Sequence, residues 1–186
     1  EAVRHNRRRI LLKRSWPVVA VSVLVCGWLV YPYIATAVAA KDIKAARYDS
    51  AKRWLDSLHF HVMFEQWKLM FNQAIVSAHT KQYDEASEYF RSAIALAPEG
   101  QRCMVRTQAV TVGELAGDEA IARQDYAEAI RFYTKALAEV QANVRCFSQD
   151  PERAARLAEK IARAANQQQE KNYQDTTNDQ KTVEKD

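Results

Sequence analysis

From Ser15 to Ala40 the chain runs for 26 residues without a charged side chain, and few environments can hold such a run. At about 1.5 Å per residue, roughly 20 helical residues cross the ~30 Å hydrocarbon core of a bilayer, so this run has residues to spare. Trp16 stands at one end and Tyr31 and Tyr33 lie near the other, at the depths where aromatic rings settle into the two headgroup layers. The pattern predicts a transmembrane helix over 15–40, embedded in lipid from Trp16 to Tyr33. Pro17 falls in the first turn, where its missing N–H costs nothing, whereas Pro32 is expected to bend the helix or mark its exit from lipid.

The flanks orient the span. Residues 1–14 carry Arg4, Arg7, Arg8, Arg9, Lys13 and Arg14 against Glu1, while the other side carries the mixed set Lys41, Asp42, Lys44 and Arg47. The basic segment is expected in the cytoplasm and the rest outside it, in a single-pass protein of the cell membrane. The same grammar fits a cleavable secretory signal, with Ala35-Thr36-Ala37 or Ala37-Val38-Ala39 as the small-residue site. Against cleavage, the apolar stretch before Pro32 already reaches the upper length of a signal core and the text beyond it continues as helix. Both readings put the body outside the cytoplasm.

The body is helical by composition. With 4 Gly and 4 Pro in 186 residues, the chain cannot supply the turns of a β-sandwich, and its 48% hydrophobic content is too high for overall disorder. The net charge of +4 sits in the first 14 residues, leaving everything from Ser15 onward at −1. No basic surface remains to follow a phosphate backbone, so nucleic acid is not an expected partner.

Three segments share one register: Tyr48-Asp49-Ser50-Ala51-Lys52-Arg53-Trp54-Leu55, Tyr83-Asp84-Glu85-Ala86-Ser87-Glu88-Tyr89-Phe90 and Tyr126-Ala127-Glu128-Ala129-Ile130-Arg131-Phe132-Tyr133. Spacings of 35 and 43 residues separate Ala51, Ala86 and Ala129, as in an array of helical hairpins. The small Ala86, aromatic Phe90, small Ala93 and Pro98 resemble the second helix of a tetratricopeptide repeat; Ala129, Tyr133 and Ala136 repeat the pattern, with Gly117 and Ala120 small on the preceding helix. In the Ala86 copy those places hold Ala74 and Ser77. The resemblance covers Trp67 to Asn143 and, more weakly, the Tyr48 copy. It lacks the usual Trp-x2-Leu-Gly start, and the longer spacing is read as a lengthened loop and first helix between Pro98 and Arg123.

The expected architecture is therefore all-α: an N-terminal transmembrane helix, a short array of helical hairpins like tetratricopeptide repeats over 41–165, and a C-terminal capping helix. If the Tyr48 copy is a repeat, the membrane helix itself continues to Ala46 as its first helix; the plainer reading is a simple amphipathic helix after the membrane. Asp150-Pro151-Glu152 marks the start of the capping helix, with Ala154, Leu157, Ala158, Ile161 and Ala165 on its apolar face. Residues 166–186 have almost nothing to bury and are expected to form a disordered tail.

Cys103 and Cys146 are repeat-equivalent, 43 residues apart, and outside the cytoplasm they can oxidise to a disulfide. Equivalent places on neighbouring hairpins are commonly ~10 Å apart, beyond disulfide reach, unless loops close the gap; two buried thiols are the alternative. Cys26 falls in the span as a packing residue. His59 and His61 lack companions for a closed metal site, no nucleophile or phosphate-loop motif occurs, and neither an enzyme nor a cofactor is expected.

The resemblance implies a concave face that binds protein, lined by first-helix positions: Lys68, Phe71, Ile75 and His79, then Thr111, Glu114, Asp118 and Ile121. The opposing reading is that the apolar members pack the interior. The lining lacks the basic and Asn cluster with which some relatives hold a C-terminal carboxylate. The implied role is a membrane-anchored scaffold helping to assemble a bacterial membrane complex. Von Willebrand factor A domain membrane proteins and MoxR-type ATPases are the partners that the resemblance brings. The alternative is an extracytoplasmic chaperone or quality-control adaptor. Self-association is left open, with Ala35-x3-Ala39 as its one motif.

Overall fold

The computed structural model describes residues 2–58 and 65–183, with side chains for 15–58 and 65–177. Seven α-helices and one 3-10 turn make up the regular structure, with no strand among the described residues. They fall into two compact units, 1–64 and 65–186. This boundary differs from the expected one at residue 41 and assigns the Tyr48 copy to the unit of the apolar helix.

In the first unit α1 (Ala2–Lys44) runs through Pro17 and Pro32 without ending. Thr36 Oγ1 donates back to the Pro32 carbonyl at 2.7 Å, a side-chain bond within the turn. Thirty residues, Ser15–Lys44, include a stretch long and apolar enough to cross a membrane. Residues 15–30 are exposed apart from the half-buried Ala20. Beyond them α2 (Tyr48–Asp56) folds back along α1, and Ala35, Ala39 and Asp42 become buried together with Ala51, Leu55 and Leu58. Ala35 and Ala39 are thus used within the chain, by a hairpin rather than by a second copy. Arg47 pairs with the buried Asp42, and the Tyr31 hydroxyl donates to Ser57 Oγ at 2.8 Å.

The second unit contains α3 (Gln66–His79), α4 (Tyr83–Leu96), α5 (Glu99–Ala122), α6 (Tyr126–Ala142), a 3-10 turn (Val144–Phe147) and α7 (Arg153–Val183). Helices α3 and α4 form one hairpin, α5 and α6 the next, and α7 packs on α6. One core lies among α3, α4 and α5, around Trp67, Ala74, Phe90, Ala93 and Val105. A second lies among α5, α6 and α7, around Val110, Ala129, Tyr133, Leu157 and Ala164. Tyr83 and Phe132 meet edge to face at 6.1 Å between them. The expected packing residues Ala51, Ala86, Phe90, Ala93, Gly117, Ala129, Tyr133 and Ala136 are all buried.

All three sequence copies enter through the same turn. Ala46, Lys81 and Gln124, each two places before its tyrosine, have φ of 56°, 62° and 59°. In each turn the next residue's N–H reaches five residues back: Arg47 to Asp42, Gln82 to Ser77 and Asp125 to Ala120, at 2.8–2.9 Å. The left-handed residue itself donates three back, to Ile43, Ala78 and Ile121. This is the Schellman ending, which satisfies helix-end carbonyls while reversing the chain.

Three expectations change. The extra length between Pro98 and Arg123 contains no enlarged loop: α5 is a 24-residue helix against 14 in α3. The expected disordered tail is helical to Val183; nothing after Pro151 breaks a helix, and Thr176 and Thr177 bond back to the carbonyls of Asn172 and Tyr173. Finally, α7 begins at Arg153, and the Asp150 carboxylate, expected as its cap, holds the Arg156 guanidinium at 2.5 and 2.9 Å. Its buried face runs through Leu157 and Ala164, leaving Ala158 and Ala165 exposed.

Two consequences can be measured by urea unfolding. Gln124→Gly should stabilise by about 0.5–1 kcal/mol, because glycine holds the left-handed conformation without the Cβ clash. A Cβ at Gly117 would lie 2.3–2.7 Å from ring atoms of Tyr133, whereas at Gly113 the nearest atom is 3.5 Å away. Gly117→Ala should therefore destabilise by about 1–3 kcal/mol, while Gly113→Ala should gain up to ~1 kcal/mol of helix propensity.

Candidate partner-binding face

The first helix of each hairpin in the second unit supplies the expected lining, and the structure treats the two helices differently. On α3, Lys68 and His79 are exposed. Lys68 pairs with Glu65 at 2.7 Å, its ammonium 5.7 Å from the Trp67 ring centre. Phe71 stands edge-on to Phe90 at 5.9 Å, and Ile75 packs partly against the same core. These apolar side chains divide their surface between the interior and solvent.

On α5 the expected lining is taken up from within. Arg153 of α7 is buried; its Nη2 donates to Thr111 Oγ1 at 2.8 Å and approaches Glu114 at 3.4 Å. Lys160 reaches Glu114 at 3.0 Å and both carboxylate oxygens of Asp118 at 2.7 and 2.9 Å. The Tyr133 hydroxyl donates to Asp118 at 2.5 Å, with the Lys160 ammonium 5.4 Å from the Tyr133 ring centre. Ile121 packs against the second core. Thr111, Glu114 and Asp118 therefore fasten α7 to α5, and α7 does more than cover an end.

Sequence reading passed over Leu115, which is 48% exposed. It lies four residues after Thr111 and three before Asp118, hence on the same helix face. The 43-residue repeat makes it the counterpart of Asn72, one turn from Lys68. That equivalence was the signal available, an apolar residue where the preceding repeat has a polar one. Lys68, Phe71, Ile75 and His79 on α3, with Leu115 on α5, keep exposed surface on this face.

The pKa shifts follow from the same ion pairs. Burial opposes the Lys160 charge, but Asp118 and Glu114 outweigh it and raise its pKa. Burial first, then Asp118, raises the Tyr133 phenol, while burial and then Glu119 push Tyr83 up to about 12. The Lys81 ammonium lowers the Glu119 carboxyl, and the Arg131 guanidinium, bonded across to α4 at 2.6 and 3.0 Å, lowers Asp84. Each shift moves its group away from neutrality, so these residues act as fasteners between helices rather than as proton donors near pH 7.

Cys103 and Cys146 are bonded, with Cα atoms 4.8 Å apart. The expected gap between equivalent helical positions does not apply, because Cys146 lies on the 3-10 turn after α6. The buried Phe147 roots that turn in the core beside the start of α5. Among the described residues no three metal-ligating side chains come together, and His59 and His61 lie outside the described residues. No protein-family model and no curated protein matches this chain.

Breaking the 43-residue loop by Cys103→Ser with Cys146→Ser should cost about 2–4 kcal/mol in urea unfolding, and dithiothreitol should give the unsubstituted chain the same loss.

Proposed function

We propose that the chain is a single-pass, membrane-anchored scaffold of the tetratricopeptide kind, whose second unit binds a partner protein at the extracytoplasmic face and helps assemble a membrane complex. The observation that carries this reading is one hairpin turn occurring three times at the repeat spacing, the first time on the apolar helix itself. An array of such hairpins presents first-helix residues to a peptide or helix, and Phe71, Ile75 and the exposed Leu115 supply apolar anchors there.

Two further observations support the anchoring and the side. A removed signal would be cut near Ala37 or Ala39, but Ala35 and Ala39 are buried in the α1–α2 hairpin, and cutting there would leave α2 without its partner. The Cys103–Cys146 bond belongs to an oxidising compartment, an argument independent of the basic residues before the span. The disulfide and the basic flank both support a second unit outside the cytoplasm. The resemblance to anchored repeat proteins makes von Willebrand factor A domain membrane proteins the first partners to test.

The test is purification of tagged full-length chain from its membrane in mild detergent, with mass spectrometry of the chain and of whatever stays bound. The intact mass should include Ala35 to Ala39, and a few partners should appear in constant ratio. Leu115→Glu should lose them while leaving the thermal midpoint unchanged. A long series of unrelated secreted proteins would favour the chaperone reading, and a mature chain beginning after Ala37 or Ala39 would overturn the anchor.

A further inference from the structure

We propose that the C-terminal end of α2 reaches the headgroup layer of the bilayer that α1 spans, with Trp54 as a second interfacial anchor, so that a helical hairpin sets the outer membrane boundary. This rests on the reading of α1 as a membrane span. The uninterrupted exposed stretch 21–30 of α1 gives way at Tyr31, the first half-buried residue after it. At that residue the returning chain arrives: the Tyr31 hydroxyl donates to Ser57 Oγ, and Ser57 caps the end of α2. The α2 C-terminus is therefore at the depth of Tyr31.

Depth along α2 follows from helix rise. Trp54 lies three residues before Ser57, ~4.5 Å farther from the bilayer centre for an antiparallel hairpin. Each headgroup layer is about 5–7 Å thick, so the indole falls inside it, in the layer that Tyr31 and Tyr33 already mark. Trp54 is half-buried, which leaves part of the ring to the lipid interface. The rest of α2 rises from this layer toward water and suits no deeper place. Its apolar Ala51 and Leu55 are buried, while the exposed Asp49, Arg53 and Asp56 belong among headgroups and water rather than hydrocarbon. Asp42, eleven residues beyond Tyr31, stands ~16 Å above it, clear of the headgroups; its ion pair with Arg47 is placed accordingly.

Full-length chains that keep Trp28 or Trp54 as their single tryptophan, the others changed to Phe, would be reconstituted in phosphatidylcholine vesicles and probed with three quenchers. These are a headgroup spin-labelled lipid, a lipid brominated deep in its acyl chain, and aqueous iodide. The expected result is loss of Trp54 emission chiefly to the headgroup label and loss of Trp28 emission chiefly to the deep bromine. Tyr31→Phe, which removes the bond to Ser57, should shift Trp54 quenching from the headgroup label toward iodide. If Trp28 responds to the deep bromine while Trp54 responds only to iodide, α2 stands clear of the membrane and the proposal fails with the span intact. If neither tryptophan responds to either lipid, the span itself fails and takes the proposal with it.

Discussion

A non-glycine residue held in the left-handed region, at Ala46, Lys81 and Gln124, reverses the chain in every hairpin, and the remaining architecture depends on that reversal. An L-residue in this conformation loses roughly 1–2 kcal/mol to the clash of its Cβ with the following carbonyl. The loss is offset because the turn gives hydrogen bonds to the helix-end carbonyls and begins the next helix at once. Ala51, Ala86 and Ala129 then fall at the same point of each returning helix, every one fully buried. Small residues at that point let two helices approach closely, and Phe90 or Tyr133 one turn later fills the space they leave.

Close approach reaches its limit at Gly117, where the Tyr133 ring occupies the place of a side chain. The same tyrosine carries its hydroxyl to Asp118, which also receives Lys160 from α7. One aromatic ring thus joins three helices, apolar along its face and hydrogen-bonded at its tip. The α5–α6 hairpin is closed at one end by the Gln124 turn and at the other by the Cys103–Cys146 bond. Its extra helical length therefore adds rigid first-helix surface instead of a loop, and Leu115 is displayed on that surface.

Much of this was legible along the chain because it depends on short-range spacing. The uncharged run, the tyrosine-alanine register and the buried small residues can be read within a turn or two of helix. The readings that changed depend on what meets across distance. Glu114 and Asp118 look like groove residues until Arg153 and Lys160, some forty residues later, turn out to face them. Cys146 looked too far from Cys103 until a 3-10 turn brought it across. The tail looked unable to fold because it has nothing to bury, yet a helix already nucleated on Leu157 and Ala164 can propagate through Gln, Glu and Lys one residue at a time.

The sequence by itself determined the helical class, the one apolar helix and the position of each hairpin turn, since these follow from local periodicity and composition. Only the tertiary structure decided that Ala35 and Ala39 pack within their own chain, that α7 occupies half of the expected face, and that Leu115 remains exposed. Those outcomes depend on which helix faces which, and helical periodicity specifies a face without naming what will cover it.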